Sequence, residues 1–210
     1  DFIIVPDGHS EQDKDFSAIL EQAANDNKLL ILKKELFHDI DPLNTKSPIL
    51  VCPLPHIQEY NSESEMKQAI MIPFQDPSNV GAVIRSGVAL GIIDFILLQE
   101  SAHPFSQKAI KASAGTVFKA NLKKGPSIDS LSNFMQDGNS RPLVILDATG
   151  KALSDFSFPE SFILLPGVEG PGIPDTLDGI KVSIPLQNSV ESFNAPVAVA
   201  IALYEYNRQK

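Results

Sequence analysis

From residue 69 onward the chain repeats one local pattern: a short apolar run suited to a strand buried on both faces, then a stretch with apolar residues at helical spacing. Strands are expected at 69–73, 94–98, 116–120, 143–148, 162–166 and 181–186, and helices at 79–90, 107–114, 127–135 and 194–208. Parallel strands need helix-sized crossovers, so this alternation predicts an α/β fold, a mostly parallel sheet with helices on both faces.

Residues 1–60 read as shorter alternating elements. Phe2–Val5, Leu29–Leu32 and Ile49–Cys52 suit strands, Phe16, Ile19, Leu20 and Ala23 mark one helix face, and Lys34–Ile40 suits a short helix. A polar tail follows, and residues 61–67 are expected to be a linker to a larger domain over 68–210. The start at Asp1-Phe2, without an initiating methionine, suggests a chain trimmed upstream. At 210 residues there is room for one large or two small cored domains.

Three separated segments of the larger part carry the chemistry. The first, Phe74 to Gly87, is a turn followed by an amphipathic helix with Asn79, Gly81 and Arg85. Gly81 and Arg85, four residues apart, share a helix face where another backbone or an anion can come close. The second, Leu164 to Pro174, follows an apolar strand and contains Gly167, Glu169, Gly170 and Gly172, a loop whose bare backbone can touch a ligand. Its spacing is not that of a dinucleotide-binding loop, and no Gly-Lys-Ser/Thr phosphate loop occurs. The third, Ile184 to Ala198, runs from a strand through a polar loop into a helix; Ser192 and Asn194 can serve there as helix caps, as ligand contacts, or as both.

In this order, the three segments resemble the signature motifs of the SpoU/TrmH branch of the SPOUT methyltransferases, over roughly residues 68–210. The resemblance implies a deep trefoil knot near the carboxyl end, a homodimer, and transfer of methyl from S-adenosyl-L-methionine to a ribose 2′-hydroxyl of structured RNA, either ribosomal or transfer RNA, with ribosomal RNA favoured. It assigns Arg85, Asn79, Glu169, Ser192 and Asn194 to the catalytic surface. The cofactor is expected against Gly167, Ile184, Phe193, Leu165, Leu186 and Thr149. The segment Phe105–Gly115 resembles the family's RNA-facing helix, which makes Lys108, Lys111 and Ser113 candidate RNA contacts, and residues 1–60 resemble part of an L30-like RNA-binding domain. Arg85 is either the group that takes the proton or a clamp on phosphate or the 2′-oxygen; the very weak basicity of guanidinium favours the clamp. Two departures stand out: Asn188 lies where the family has glycine, and Pro196 where serine is frequent.

Composition sets the competing reading. The formal net charge is −9, with 13 Asp/Glu against 6 Lys/Arg in residues 1–70 and 13 against 11 in the remainder. An RNA-binding protein usually carries a basic footprint, so the alternative is a catalytically weak relative that keeps a cofactor pocket and serves in RNA binding or regulation. The four histidines are scattered singly, so no metal site is expected, and Cys52 in its apolar run is expected to be a buried small hydrophobe. A single cysteine and the lack of a long apolar run point to a cytoplasmic protein without a membrane span.

Overall fold

The computed structural model describes residues 1–41, 44–61, 66–136, 141–168, 173, 177–187 and 192–210. The chain divides into two compact units, residues 1–55 and 56–210.

In the first unit, β1 (Phe2–Pro6) pairs in parallel with β2 (Leu29–Leu32) through the crossover α1 (Lys14–Asn25), and β3 (Ile49–Val51) pairs with β1 antiparallel. Asp13 starts α1 by accepting from the backbone of Asp15 and Phe16 at 2.9 and 3.1 Å. Asn27 ends the turn after it in the left-handed region, a conformation asparagine tolerates. α2 (Lys34–Ile40) adds Phe37 to a small core with Val5 and Ala23. Cys52 is exposed, contrary to its sequence reading. The reason is that β3 is a short edge strand of a three-stranded sheet, too small to cover its own apolar residues; Leu50 and Val51 are exposed with it.

The second unit is built on a seven-stranded sheet in the order β10-β8-β9-β5-β6-β7-β4, all of whose pairings are parallel. Along the chain these are β4 (Gln58–Glu59), β5 (Gln68–Ile72), α3 (Pro77–Ala89), β6 (Asp94–Leu97), α4 (Gln107–Ala112), β7 (Asn121–Lys124), α5 (Leu131–Gln136), β8 (Leu143–Ala152), β9 (Phe162–Leu165), β10 (Ile180–Ser183) and α6 (Ala195–Arg208). The central strands alternate between two cores. Ile70, Ile72, Phe95, Phe162 and Leu164 face α3 and α6, while Met71, Ile96, Ile163 and Leu165 face the side of α5. Burial on both faces is why these strands are uninterrupted apolar runs.

The expected strand at 116–120 is a 3-10 turn over Thr116–Lys119, and the strand begins at Asn121. Ala114 and Gly115 are both left-handed, at φ 48° and 77°, so the chain reverses immediately after α4. Val117 then drops into the core, which is why the run is apolar without being extended. Asp76 caps α3 by accepting from Ser78 at 3.0 Å. A side chain at Gly81 would collide with the Ala109 carbonyl and come within 2.9 Å of the Ser113 nitrogen, so the close partner of this glycine is the backbone of α4 and its end. The knot implied by the resemblance depends on a path through residues 169–172, 174–176 and 188–191, outside the described residues.

Candidate active site

β10, β8 and β9 form one edge of the large sheet. β8 and β10 pair regularly at Val144 with Ile180 and Ile145 with Lys181, and then the register jumps so that Val182 meets Lys151. Residues 146–150 therefore arch out of the ladder. Gly150 lets the arch close, because a side chain there would strike the backbone of Lys181 and Val182, and Ser183 Oγ donates to the Gly150 carbonyl at 2.8 Å.

Beside the arch lies a cleft of about 410 Å³. Leu146, Asp147 and Ala148 line it from the arch, Gly167 and Val168 from the loop after β9, Val182, Ile184 and Leu186 from β10 and beyond, and Ser192, Phe193, Asn194, Ala195 and Ala198 from the entry into α6. Its loops follow the carboxyl ends of parallel strands, where open α/β sheets bind ligands.

Six residues singled out in the sequence meet in this cleft: Gly167, Ile184, Leu186, Ser192, Phe193 and Asn194. Asn194 sits at the N-cap position of α6, yet its side chain makes no capping hydrogen bond. Leu165 is fully buried in the core on the α5 side and does not line the cleft. Thr149 is exposed and does not line the cleft; its N–H and hydroxyl donate to Asp147 Oδ1 at 2.8 and 2.6 Å. Asn79 and Arg85, on α3, do not line the cleft of their own chain. Arg85 is exposed and makes no hydrogen bond or ion pair with the described residues. Glu169 and Asn188 lie outside the described residues. Lys108 and Lys111 are exposed on α4, whereas Ser113 is fully buried and donates its hydroxyl to the Ile110 carbonyl at 2.8 Å, securing the end of that helix.

Asp147 is the residue that sequence reasoning passed over. It is the ionisable group among the described lining residues, and its Oδ2 lies 3.2 Å from Lys181 Nζ. The Thr149 hydroxyl, then the Thr149 N–H, and then Lys181 hold its carboxyl below the usual carboxylate range, against the opposing effect of partial burial. It is an anion at neutral pH. The cleft thus combines apolar walls suited to a flat heterocycle with one fixed carboxylate able to accept from hydroxyl or ammonium groups, plus two uncharged polar side chains. Among the described residues no group of three or more His, Cys, Asp or Glu converges as metal ligands would.

The sequence model of the SpoU rRNA Methylase family matches residues 68–204, a span that contains the arch, the cleft and α3. The chain belongs to the SpoU family. It is 41% identical over 175 residues to the ribosomal RNA small subunit methyltransferase G 2 of Syntrophobacter fumaroxidans, a match covering 82% of this chain and 34% of that protein. It is 32% identical over 142 residues to the 23S rRNA (uridine(2479)-2′-O)-methyltransferase of Streptomyces viridochromogenes, covering 64% of this chain and 50% of that one. The SpoU chain thus spans a third to a half of the length of these curated relatives. In fold it is similar to the crystal structure of the SpoU methyltransferase AviRb from S. viridochromogenes in complex with AdoMet, with a TM-score of 0.75 at 24% identity, covering 99% of this chain and 82% of that one.

Proposed function

We propose that this SpoU chain is an S-adenosyl-L-methionine-dependent methyltransferase acting on a ribose 2′-hydroxyl of structured RNA, ribosomal RNA in preference to transfer RNA. One observation carries the reading: residues from two separate signature segments, Gly167 on one side and Ile184, Leu186, Ser192, Phe193 and Asn194 on the other, line a single cleft. Matches to proteins named as ribosomal RNA methyltransferases support the substrate class.

The cleft fits the cofactor in size and chemistry. Leu146, Ile184, Leu186 and Phe193 would hold the adenine, the open backbone at Gly167 would lie against it, and Asp147 would accept from the ribose hydroxyls or the methionine ammonium. When bound, S-adenosylmethionine supplies an electrophilic methyl on a sulfonium, so the chain's task is to aim the 2′-oxygen and manage its proton. Asn194, whose side chain makes no capping bond, and Ser192 beside it in the cleft are suited to positioning the ribose. Arg85 carries a planar guanidinium fork and serves best as a clamp on phosphate or on charge developing at the oxygen.

Asn79 and Arg85 stand away from their own cleft, and we read them as completing the cleft of a second copy. The outer face of α6 supports a homodimer: Val197 and Tyr204 are exposed on it, with Ala200 and Ile201 half-buried between them. Lys108 and Lys111 would meet RNA phosphates. The first unit, residues 1–55, would act as a partial L30-like RNA-binding domain; β4, inside the 1–60 module expected from the sequence, pairs with β7 in the large sheet and belongs to the second unit. No described helix is long and apolar enough to cross a membrane, and an RNA substrate of this kind fits a cytoplasmic location.

Isothermal titration tests the pocket. S-adenosylmethionine should bind with a stoichiometry of about one per chain and ATP should not, and Gly167→Val should abolish the heat while leaving the folded protein intact. Unchanged affinity in folded Gly167→Val protein would remove this cleft as the cofactor site.

A further inference from the structure

The stretch from Ser101 to Lys124 carries five lysines and no acidic residue, in a chain whose net charge is −9. Lys123 donates to Gln58 at 2.8 Å and Lys124 pairs with Glu59 at 3.7 Å, so both are engaged along the β4–β7 edge. Lys108, Lys111 and Lys119 are exposed and make no hydrogen bond or ion pair with the described residues. Amid them stands Phe118, 62% exposed, its ring stacked on Phe105 with centroids 5.8 Å apart and planes at 26°. His103 continues the series, 5.9 Å from Phe105.

This ledge is built, not incidental. Phe105 packs its inner side against the main core, and its N–H donates to His103 Nδ1 at 3.2 Å. The left-handed pair Ala114-Gly115 turns the chain back after α4, which brings Phe118 onto Phe105. Both α4 and the turn carrying Phe118 pack on α3, the helix that bears Arg85.

We propose that the Phe105–Phe118 stack is a platform for one unpaired base of the RNA, with Lys108, Lys111 and Lys119 holding the flanking phosphates. The inference rests on the RNA methyltransferase reading. An aromatic face accepts any base that is out of a helix, so the platform selects single-stranded or flipped nucleotides over paired ones. The charge pattern favours RNA over a second copy as the occupant. A two-fold contact through this surface would set its lysines against the same lysines of the other chain.

The chain contains no tryptophan, so Phe118→Trp introduces a single indole reporter on an exposed position. A mixed-sequence single-stranded RNA of about 20 nucleotides should quench its emission, and the fully paired duplex should quench it far less. Phe118→Ala should weaken binding of the single strand to the otherwise native protein about tenfold, by the same factor at low and high salt, because stacking releases no counterions. Lys119→Ala should instead flatten the salt dependence by about one phosphate contact. Emission that shifts with protein concentration alone and ignores RNA would overturn the proposal in favour of a chain–chain contact. Equal affinity of Phe118→Ala and native protein for the single strand would overturn it while leaving the methyltransferase reading intact. If the native protein bound neither RNA, while still binding S-adenosylmethionine, the RNA reading beneath the proposal would fall with it.

Discussion

Arg85 keeps its guanidinium in solvent on a helix whose inner face is apolar, and it has no partner among the described residues. A group so placed adds little to the fold and is available to a substrate. Arg85→Ala is expected to keep cofactor binding and to lower turnover about a hundredfold or more, the scale of removing a group that stabilises developing charge. Arg85→Lys should restore little, because a point charge cannot reproduce the planar fork. Single-turnover methyl transfer with saturating cofactor measures both, and native rates in either variant would remove Arg85 from the mechanism. Asp147 yields a prediction that reading the sequence alone did not. Asp147→Asn should weaken S-adenosylmethionine about tenfold, since hydrogen bonds to a charged acceptor are among the stronger ones. Its pKa is lowered in the folded protein, so its contribution to stability is complete above the unfolded-state value and is lost as pH falls through the folded one. Cofactor affinity should therefore stay flat from neutral pH through the weakly acidic range, which titrations at stepped pH would check. The cleft residues on glycine-rich and polar loops were legible because those residue types are hard to explain otherwise. Asp147 was not, because one acid closing an apolar run reads as an ordinary strand end. Gly81 was legible as a close approach, but sequence could not tell that α4, and not a ligand, makes it.

Among the elements, the central strands β5, β6 and β9 were read to within a residue at each end, since double-sided burial demands unbroken apolar runs, whereas β8 runs on to Ala152 and β10 stops at Ser183. The segment 116–119 misled for the same reason in reverse: Val117 is apolar because it plugs the core from a turn. The arch in β8 was invisible, because a register jump leaves no periodic signature and only Gly150 marks its closure. α6 is the element whose outer face is unexplained by the chain itself. Val199, Ala202, Leu203 and Tyr206 face the core, while Tyr204 is 65% exposed and Val197 45%. Tyr204→Glu should leave the monomer folded and shift light scattering at micromolar concentration from dimer toward monomer, with methyl transfer falling in parallel. A native protein that is monomeric at that concentration would contradict the dimer. Glu205, one residue on, is already held to about 2 by Arg208 and Gln209, so it stays charged through this test.

At the scale of the molecule, the two compact units differ in how they are covered. The central strands of the large sheet are buried on both faces, whereas the three-stranded sheet leaves Leu30, Ile31, Leu50 and Val51 exposed. Element order in the small unit was legible from alternating short runs, but its exposure was not, because apolar patterning says which residues favour burial and not whether enough chain is present to bury them. Charge does not follow that division: the excess of acid is 5 in residues 1–55 (10 Asp/Glu against 5 Lys/Arg) and 4 in residues 56–210 (16 against 12), and the family-matched span 68–204 carries 12 against 9. The central claim is methyl transfer to a ribose oxygen. A methylated 2′-oxygen can no longer attack its own phosphodiester, so alkaline cleavage maps of ribosomal and transfer RNA from a strain deleted for this gene, compared with its parent, test that claim most directly. The account predicts a position protected in the parent, cleaved in the deletion strain, and protected again after incubation with the purified protein and S-adenosylmethionine. Identical cleavage maps in the two strains, or a missing methyl group found on a base instead of a ribose, would contradict it.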